Sequence, residues 1–255
     1  MFLPTGVTAL INSLANHKTV SSVNVLGNRL RVEDAKQVNK RGLGTVCGLN
    51  GDETALNFSE RDLSPGEAML IANDIRNCSR LKRLDISKNG IGRLVVPDGW
   101  HYPAAHGNGV WVHTDGRRQE ERPGIPEGLI ALVESLKNHK ALEKLNLSEI
   151  WADTKEAGQA LADLLKENSV LRELDISNNF EENDSSSSDG SGFARALTVG
   201  LGANGALTSL NLSRNGLGAE GAKHVAEAIK VNVSVLQYAR HHFELDLISI
   251  YPRLY

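Results

Sequence analysis

The side chains best equipped for chemistry gather between residues 92 and 125, where His101, His106 and His113 stand with Asp98 and Asp115 among Trp100, Tyr102 and Trp111. Three imidazoles and a carboxylate make a zinc site when they converge as a tetrahedron. Here the histidines are five and seven residues apart, which fits neither an i, i+4 helical pair nor a closed Cys/His set. No metal or cofactor is therefore assigned. The tryptophans are a different resource, since large aromatics pack or bind, and Trp100 and Trp111 become candidate contacts for a protein partner.

Catalytic groups are sparse elsewhere. Cys47 and Cys78 have no persuasive histidine partner, no glycine-rich phosphate loop or nucleophile elbow occurs, and Glu181-Glu182 lie in a run of Ser, Asp and Gly. That run lacks the alternating oxygen ligands and distal Glu of a calcium loop and reads as a mobile acidic insertion. The expectation is a protein that is not an enzyme and takes no small-molecule substrate. A net charge of −3 supplies no basic footprint for nucleic acid, and no run of about 18 apolar residues is present to span a membrane. Two cysteines form no disulfide framework, and the first residues lack the apolar core of a secretory signal, so an intracellular, cytoplasmic location is expected.

The elements that position these residues are announced by a recurring phrase. Leu81, Leu84, Ile86, Asn89 and Ile91 follow the spacing L-x-x-L-x-L-x-x-N-x-L, as do Leu171, Leu174, Ile176 and Asn179, and Leu207, Leu210, Leu212, Asn215 and Leu217. Weaker copies start at Val20, at Leu56 with Arg61 in the Asn place, and at Leu142 with Ile150 there. The first inward residue of each short strand falls at 23, 56, 84, 145, 174 and 210. The base unit is thus 28 or 29 residues, and the longer intervals of 33, 61 and 36 carry insertions.

Between the phrases lie amphipathic helices with apolar residues at i, i+3, i+4 and i+7, such as Ala68, Ile71, Ala72 and Ile75, and Leu129, Leu132, Val133 and Leu136. In six copies the last apolar helix residue stands six places before the first apolar residue of the next strand. Ser64-Pro65-Gly66-Glu67 has the order of a capping box with proline at the first helical position. The asparagines Asn28, Asn89, Asn179 and Asn215 have a structural reading. A buried amide can satisfy both the donors and the acceptors that a turning backbone leaves behind. The copies with Arg61 and Ile150 are expected to be locally irregular.

These residues resemble the leucine-rich repeat family, most closely its ribonuclease-inhibitor-like branch. The resemblance implies an α/β fold: a solenoid with a concave parallel sheet and an outer layer of helices. It covers 1–255 as a single domain of about seven repeats, with irregular insertions near 92–125 and 180–192 and a capping segment at 236–255. Val110-Trp111-Val112 is expected to be the strand of a partial repeat. The first helix is either a cap for the solenoid or part of a longer chain.

Function, in that family, lies on the concave strand face. Alternation along each strand sends Leu84 and Ile86 inward and Asp85 outward. The outward rows contain Arg83, Asp85, Lys144, Glu173 and Asp175, a mixed-charge patch for a protein partner. The competing reading is a polar ladder that merely solvates the sheet. The resemblance implies a non-catalytic interaction scaffold or adaptor. Its alternatives are a regulator of the Ran GTPase-activator type, whose acidic tail is missing from the ending Ile248-Ser-Ile-Tyr-Pro-Arg-Leu-Tyr, and a peripheral subunit of a large assembly.

Overall fold

The computed structural model describes residues 6–14, 17, 19–20, 22–40, 44–93, 100–101, 111–116, 118–119, 126–179 and 190–231. The acidic run 180–189, residues 94–99 and 102–110 of the Trp/His stretch, and the capping segment 236–255 lie outside them, as do the side chains of Trp100 and Trp111. In chain order the elements are α1 (Gly6–Leu14), α2 (Val32–Asn39), β1 (Ala55–Asn57), α3 (Pro65–Ile75), β2 (Arg83–Asp85), β3 (Trp100–His101), β4 (Trp111–His113), β5 (Arg118–Gln119), α4 (Glu127–Leu136), β6 (Lys144–Asn146), α5 (Lys155–Glu167), β7 (Glu173–Asp175), α6 (Ser191–Ala203), β8 (Ser209–Asn211) and α7 (Gly218–Val231).

Five strands form one parallel sheet in the order β1-β2-β6-β7-β8. Their register aligns the central leucines, so that Leu56, Leu84, Leu145, Leu174 and Leu210 lie side by side. Leu84, Leu145 and Leu174 are each 2 % exposed and rest on the inward faces of the helices through Ile71, Leu132, Leu161 and Leu197, all at 0 %. Burying one such side chain stabilises the fold by about 1.5 to 3 kcal/mol, which makes a register slip prohibitive. Helix α3 starts as its sequence predicts. Ser64 accepts from the Glu67 N–H, and the Glu67 side chain accepts the Ser64 N–H at 2.9 Å. The Glu67 carboxylate, fully buried, also accepts the Asn28 N–H at 2.9 Å and so joins the first repeat to the second.

Helices α5 and α6 pack closely enough that Gly200 tolerates no side chain: a Cβ there would stand 2.1 Å from the Ala162 carbonyl oxygen. Glycine here provides contact between backbones rather than conformational freedom.

The intervals longer than 29 residues have distinct causes. Leu84 pairs directly with Leu145, which overturns the expected partial repeat at 110–112. Trp111–His113 is instead the middle strand of a separate antiparallel sheet, β3-β4-β5, with Trp100 opposite His113 and Trp111 opposite Gln119. The short alternation Val-Trp-Val satisfies either kind of strand, and pairing with local neighbours avoids breaking the leucine register. Near the start, the Val23 and Val25 N–H groups donate to Thr45 and Val46 at 3.1 and 3.0 Å, so an inserted segment stands where the next solenoid strand would pair. Buried Asp74 holds that segment, accepting from Thr45 Oγ1 at 2.6 Å and from the Val46 and Cys47 N–H groups at 2.8 Å. The helix of this first repeat, α2, escapes the periodicity argument because two turns bury only Val32, Ala35 and Val38 among its apolar residues, beside Asp34.

Two polar columns link the repeats. In the first, the residue before the Asn position in the five repeats of the sheet, Glu60, Lys88, Glu149, Asn178 or Arg214, adopts a left-handed conformation with φ between 55° and 58° that turns the chain out of the strand. Asn89 then donates to Ile86 O of its own repeat and to Phe58 O of the preceding one, both at 2.9 Å, and accepts the Arg61 and Leu63 N–H groups at 3.1 and 2.9 Å. Asn179 serves the preceding repeat likewise through Leu147 O, Ile150 N and Ala152 N. The turns holding Arg61 and Ile150 are thus supplied by the next asparagine along, and the irregularity expected there is absent from their hydrogen bonding. Asn89, Asn179 and Asn215 are buried, whereas Asn28, at the end of the column, is exposed.

The second column follows the helices. Asn168 and Asn204 each accept two backbone N–H groups of the next turn and donate to carbonyls of the preceding repeat. His139 replaces asparagine between Cys78 and Asn168. Its Nδ1 accepts from Ala141 and Leu142, and its Nε2 meets Cys78 O at 3.0 Å, the geometry of a neutral ring with the proton on Nε2.

Candidate protein-binding face

The register assembles the charged candidates on three neighbouring strands. Arg83, Lys144, Glu173 and Ser209 form one row across β2, β6, β7 and β8; Asp85, Asn146, Asp175 and Asn211 form the other. Trp100 and Trp111 are not brought to these strands, because β3 and β4 belong to the separate antiparallel sheet.

The second row has a backbone task. Asp85 Oδ1 accepts the Ser87 N–H at 3.0 Å and the Ser87 hydroxyl at 2.7 Å, closing a turn as the chain leaves β2. Asp175 does the same with Ser177, and Asn57, Asn146 and Asn211 do it with Ser59, Ser148 and Ser213. An amide oxygen suffices for this turn in three repeats, so the negative charges of Asp85 and Asp175 are additional to what the fold requires.

The charges differ in how they are engaged. Lys144 Nζ lies 2.7 Å from Glu173 Oε1, with both side chains about half exposed. Asp175 Oδ2 accepts from Asn211 Nδ2 at 3.0 Å. The exposed Arg83 guanidinium and Asp85 Oδ2, both on β2, have no hydrogen-bond or ion-pair partner among the described residues. A partner meeting β2 finds a guanidinium and a carboxylate oxygen with no ion-pair partner among the described residues, whereas on β6 and β7 it must first break a pair.

A second surface feature escaped the sequence argument. Arg93 lies over the Trp151 ring, 4.9 Å from its centroid, and both line a cleft of about 420 Å³ beside the turns that follow β2, β6 and β7. The signal available was position: Trp151 comes one place after Ile150 in the Asn column, where a large aromatic has no inward role.

Both cysteines are free and buried. Burial, reinforced by the Asp74 carboxylate, pushes the Cys47 thiol far up, and burial with the hydrogen bond to Glu53 pushes Cys78 up to about 12. Both stay protonated at neutral pH. Among the described residues no three His, Cys, Asp or Glu side chains converge as a metal set, and no helix is long and apolar enough to cross a membrane.

Comparison with known proteins agrees with the repeats. A family profile described as "Leucine Rich repeat" matches residues 204–226, the copy around β8 and the start of α7. No curated protein sequence matches the chain. Among solved structures, "Leiomodin-1 Actin-Binding Site 2 (ABS2)" aligns with 16 % identity and a TM-score of 0.46 over 82 % of this chain and 91 % of its own. The tropomodulin C-terminal domain of Caenorhabditis elegans aligns with 15 % identity and a TM-score of 0.37 over 92 % and 98 %. Likeness this distant adds nothing to the strand register. The aligned leucines, the left-handed column, the asparagine amides bridging successive turns and the matched repeat make this chain a leucine-rich repeat protein.

Proposed function

We propose that the protein is a non-catalytic interaction scaffold, one repeat domain working inside the cell, which holds a protein partner against the strand face at β2, β6 and β7. The observation that carries this reading is the pair of unengaged charges on β2, Arg83 and Asp85 Oδ2, beside the Lys144–Glu173 pair and Asp175. Turn closure at Asp85 needs one oxygen and no charge, so the surplus charge is available for recognition. Contacts centred on β2 and extending to β6 and β7 would suit a partner with its own mixed charges. Trp100 and Trp111, on the separate antiparallel sheet, are proposed as further contacts for that partner.

The test is affinity purification with quantitative mass spectrometry, comparing the wild type with Arg83→Glu/Glu173→Arg. Loss of the co-purifying proteins in the variant supports the reading. Recovery of the same proteins in the same amounts would sink it. A partner set of fixed stoichiometry would identify an assembly subunit, and a GTPase in that set would direct the work to hydrolysis assays.

A further inference from the structure

We infer that the turns after β2, β6 and β7 form a second binding site, separate from the strand face, that takes an acidic segment of a protein partner with its carboxylate on Arg93. The first observation is conformational. Trp151 has φ 67°, a left-handed backbone rare for a bulky residue. Arg29, Asp62 and Gly216 stand at the same place in other repeats with φ 51°, 54° and 57°. The fold there accepts residues of very different size and polarity, and this repeat holds a tryptophan. The left-handed turn itself recurs in those repeats and does not call for a tryptophan. Nor is the residue held in place to fill the core, because Trp151 is 39 % exposed, one of few large apolar side chains so placed among the described residues.

The second observation is electrostatic. Arg93 stacks on Trp151 and has no carboxylate partner among the described residues. The other cations at this rim are matched, Lys88 to Glu60 and Arg29 to Asp62. Glu149, the remaining acid of the cleft, lies in the field of Lys88. Arg93 is therefore the cation of the cleft that has no ion-pair partner among the described residues. A guanidinium resting on an aromatic face keeps its edge donors available, and such a fork receives a carboxylate through two parallel hydrogen bonds. A side chain already oriented loses less freedom on binding. Trp and Arg are also the residue types that dominate protein interfaces energetically.

Random peptides displayed on phage, selected on the full chain and then titrated as synthetic peptides, test the assignment. The selected peptides are expected to carry Asp or Glu. Their affinity should fall at least about tenfold in Arg93→Glu, the scale of one lost charge-assisted contact, and less in Arg93→Lys, which keeps the charge without the planar fork. Trp151→Gly should weaken binding as well, and circular dichroism checks that each variant is folded. Arg83→Glu/Glu173→Arg should leave this affinity unchanged, so failure here and failure of the strand-face reading can be told apart. Recovery of no peptide, recovery of basic or uncharged sequences, binding indifferent to Arg93→Glu, or binding lost through the strand-face variant would each overturn the proposal.

Discussion

Asn179 reaches back one repeat to Ile150: its Oδ1 accepts the Ile150 N–H at 2.8 Å while its Nδ2 donates to Leu147 O at 3.0 Å. A repeat without its own asparagine is thereby completed by the next. Asn179→Ala would leave buried donors and acceptors of two repeats unpaired, and urea denaturation should show a loss of about 3 kcal/mol. Ile150→Asn, by contrast, should bring no gain, since those backbone groups are already served.

His139 occupies a column otherwise held by Asn168 and Asn204. Its ring uses one acceptor and one donor, which an amide also carries. His139→Asn is expected to keep thermal stability to within about 1 kcal/mol, and His139→Ala to cost about 2 kcal/mol by leaving the Ala141 and Leu142 N–H groups unmet. Equal losses in both variants would show that ring packing, not the hydrogen bonds, is what matters there.

Trp151 offers a reversal of the usual order of substitutions. At φ 67° alanine keeps the left-handed strain that glycine escapes. Trp151→Gly should therefore be more stable than Trp151→Ala by about 1 kcal/mol in chemical denaturation, despite the greater entropy of the unfolded glycine chain.

The thiols should report on alkaline stability. Cys78 has its pKa raised from 9.0 to about 12 by burial first and by the hydrogen bond to Glu53 next. Between these values the native state holds a proton that the unfolded chain releases. The stabilisation is therefore fully present below about pH 9 and declines as pH rises toward 12. Denaturation midpoints that fall across this window in the wild type, and fall less in Cys78→Ala, would match this. A thiol reagent at pH 8 should label neither Cys78 nor Cys47 until the chain is unfolded.

The candidate site was legible unevenly. Lys144, Glu173 and Asp175 could be placed on adjacent strands from spacing and alternation, whereas the partial repeat expected at 110–112 would have separated Arg83 and Asp85 from Lys144, which they in fact adjoin. Which of these charges is free could not be read from spacing. Lys144 engages Glu173 and Asp175 engages Asn211, pairings that depend on rotamers and on the neighbour across the sheet. Nor does spacing reveal that Asp85 and Ser87 close a turn with each other, an arrangement that recurs in the Asn-x-Ser copies.

What the chain determined by itself is the frame. Leucines in a recurring phrase, with a constant offset from each helix to the next strand, specify a stack in which Leu84, Leu145, Leu174 and Leu210 share one inward row. Apolar burial enforces that at every copy. Tertiary structure decided what happens where the period is interrupted: the 61-residue interval leaves the solenoid as an antiparallel sheet, and Thr45–Cys47 fold onto Asp74. It also brought Arg93 over Trp151, 58 positions further along the chain. Periodicity encodes which face a residue shows, but contacts between insertions and turns of different repeats depend on distances that no local pattern carries.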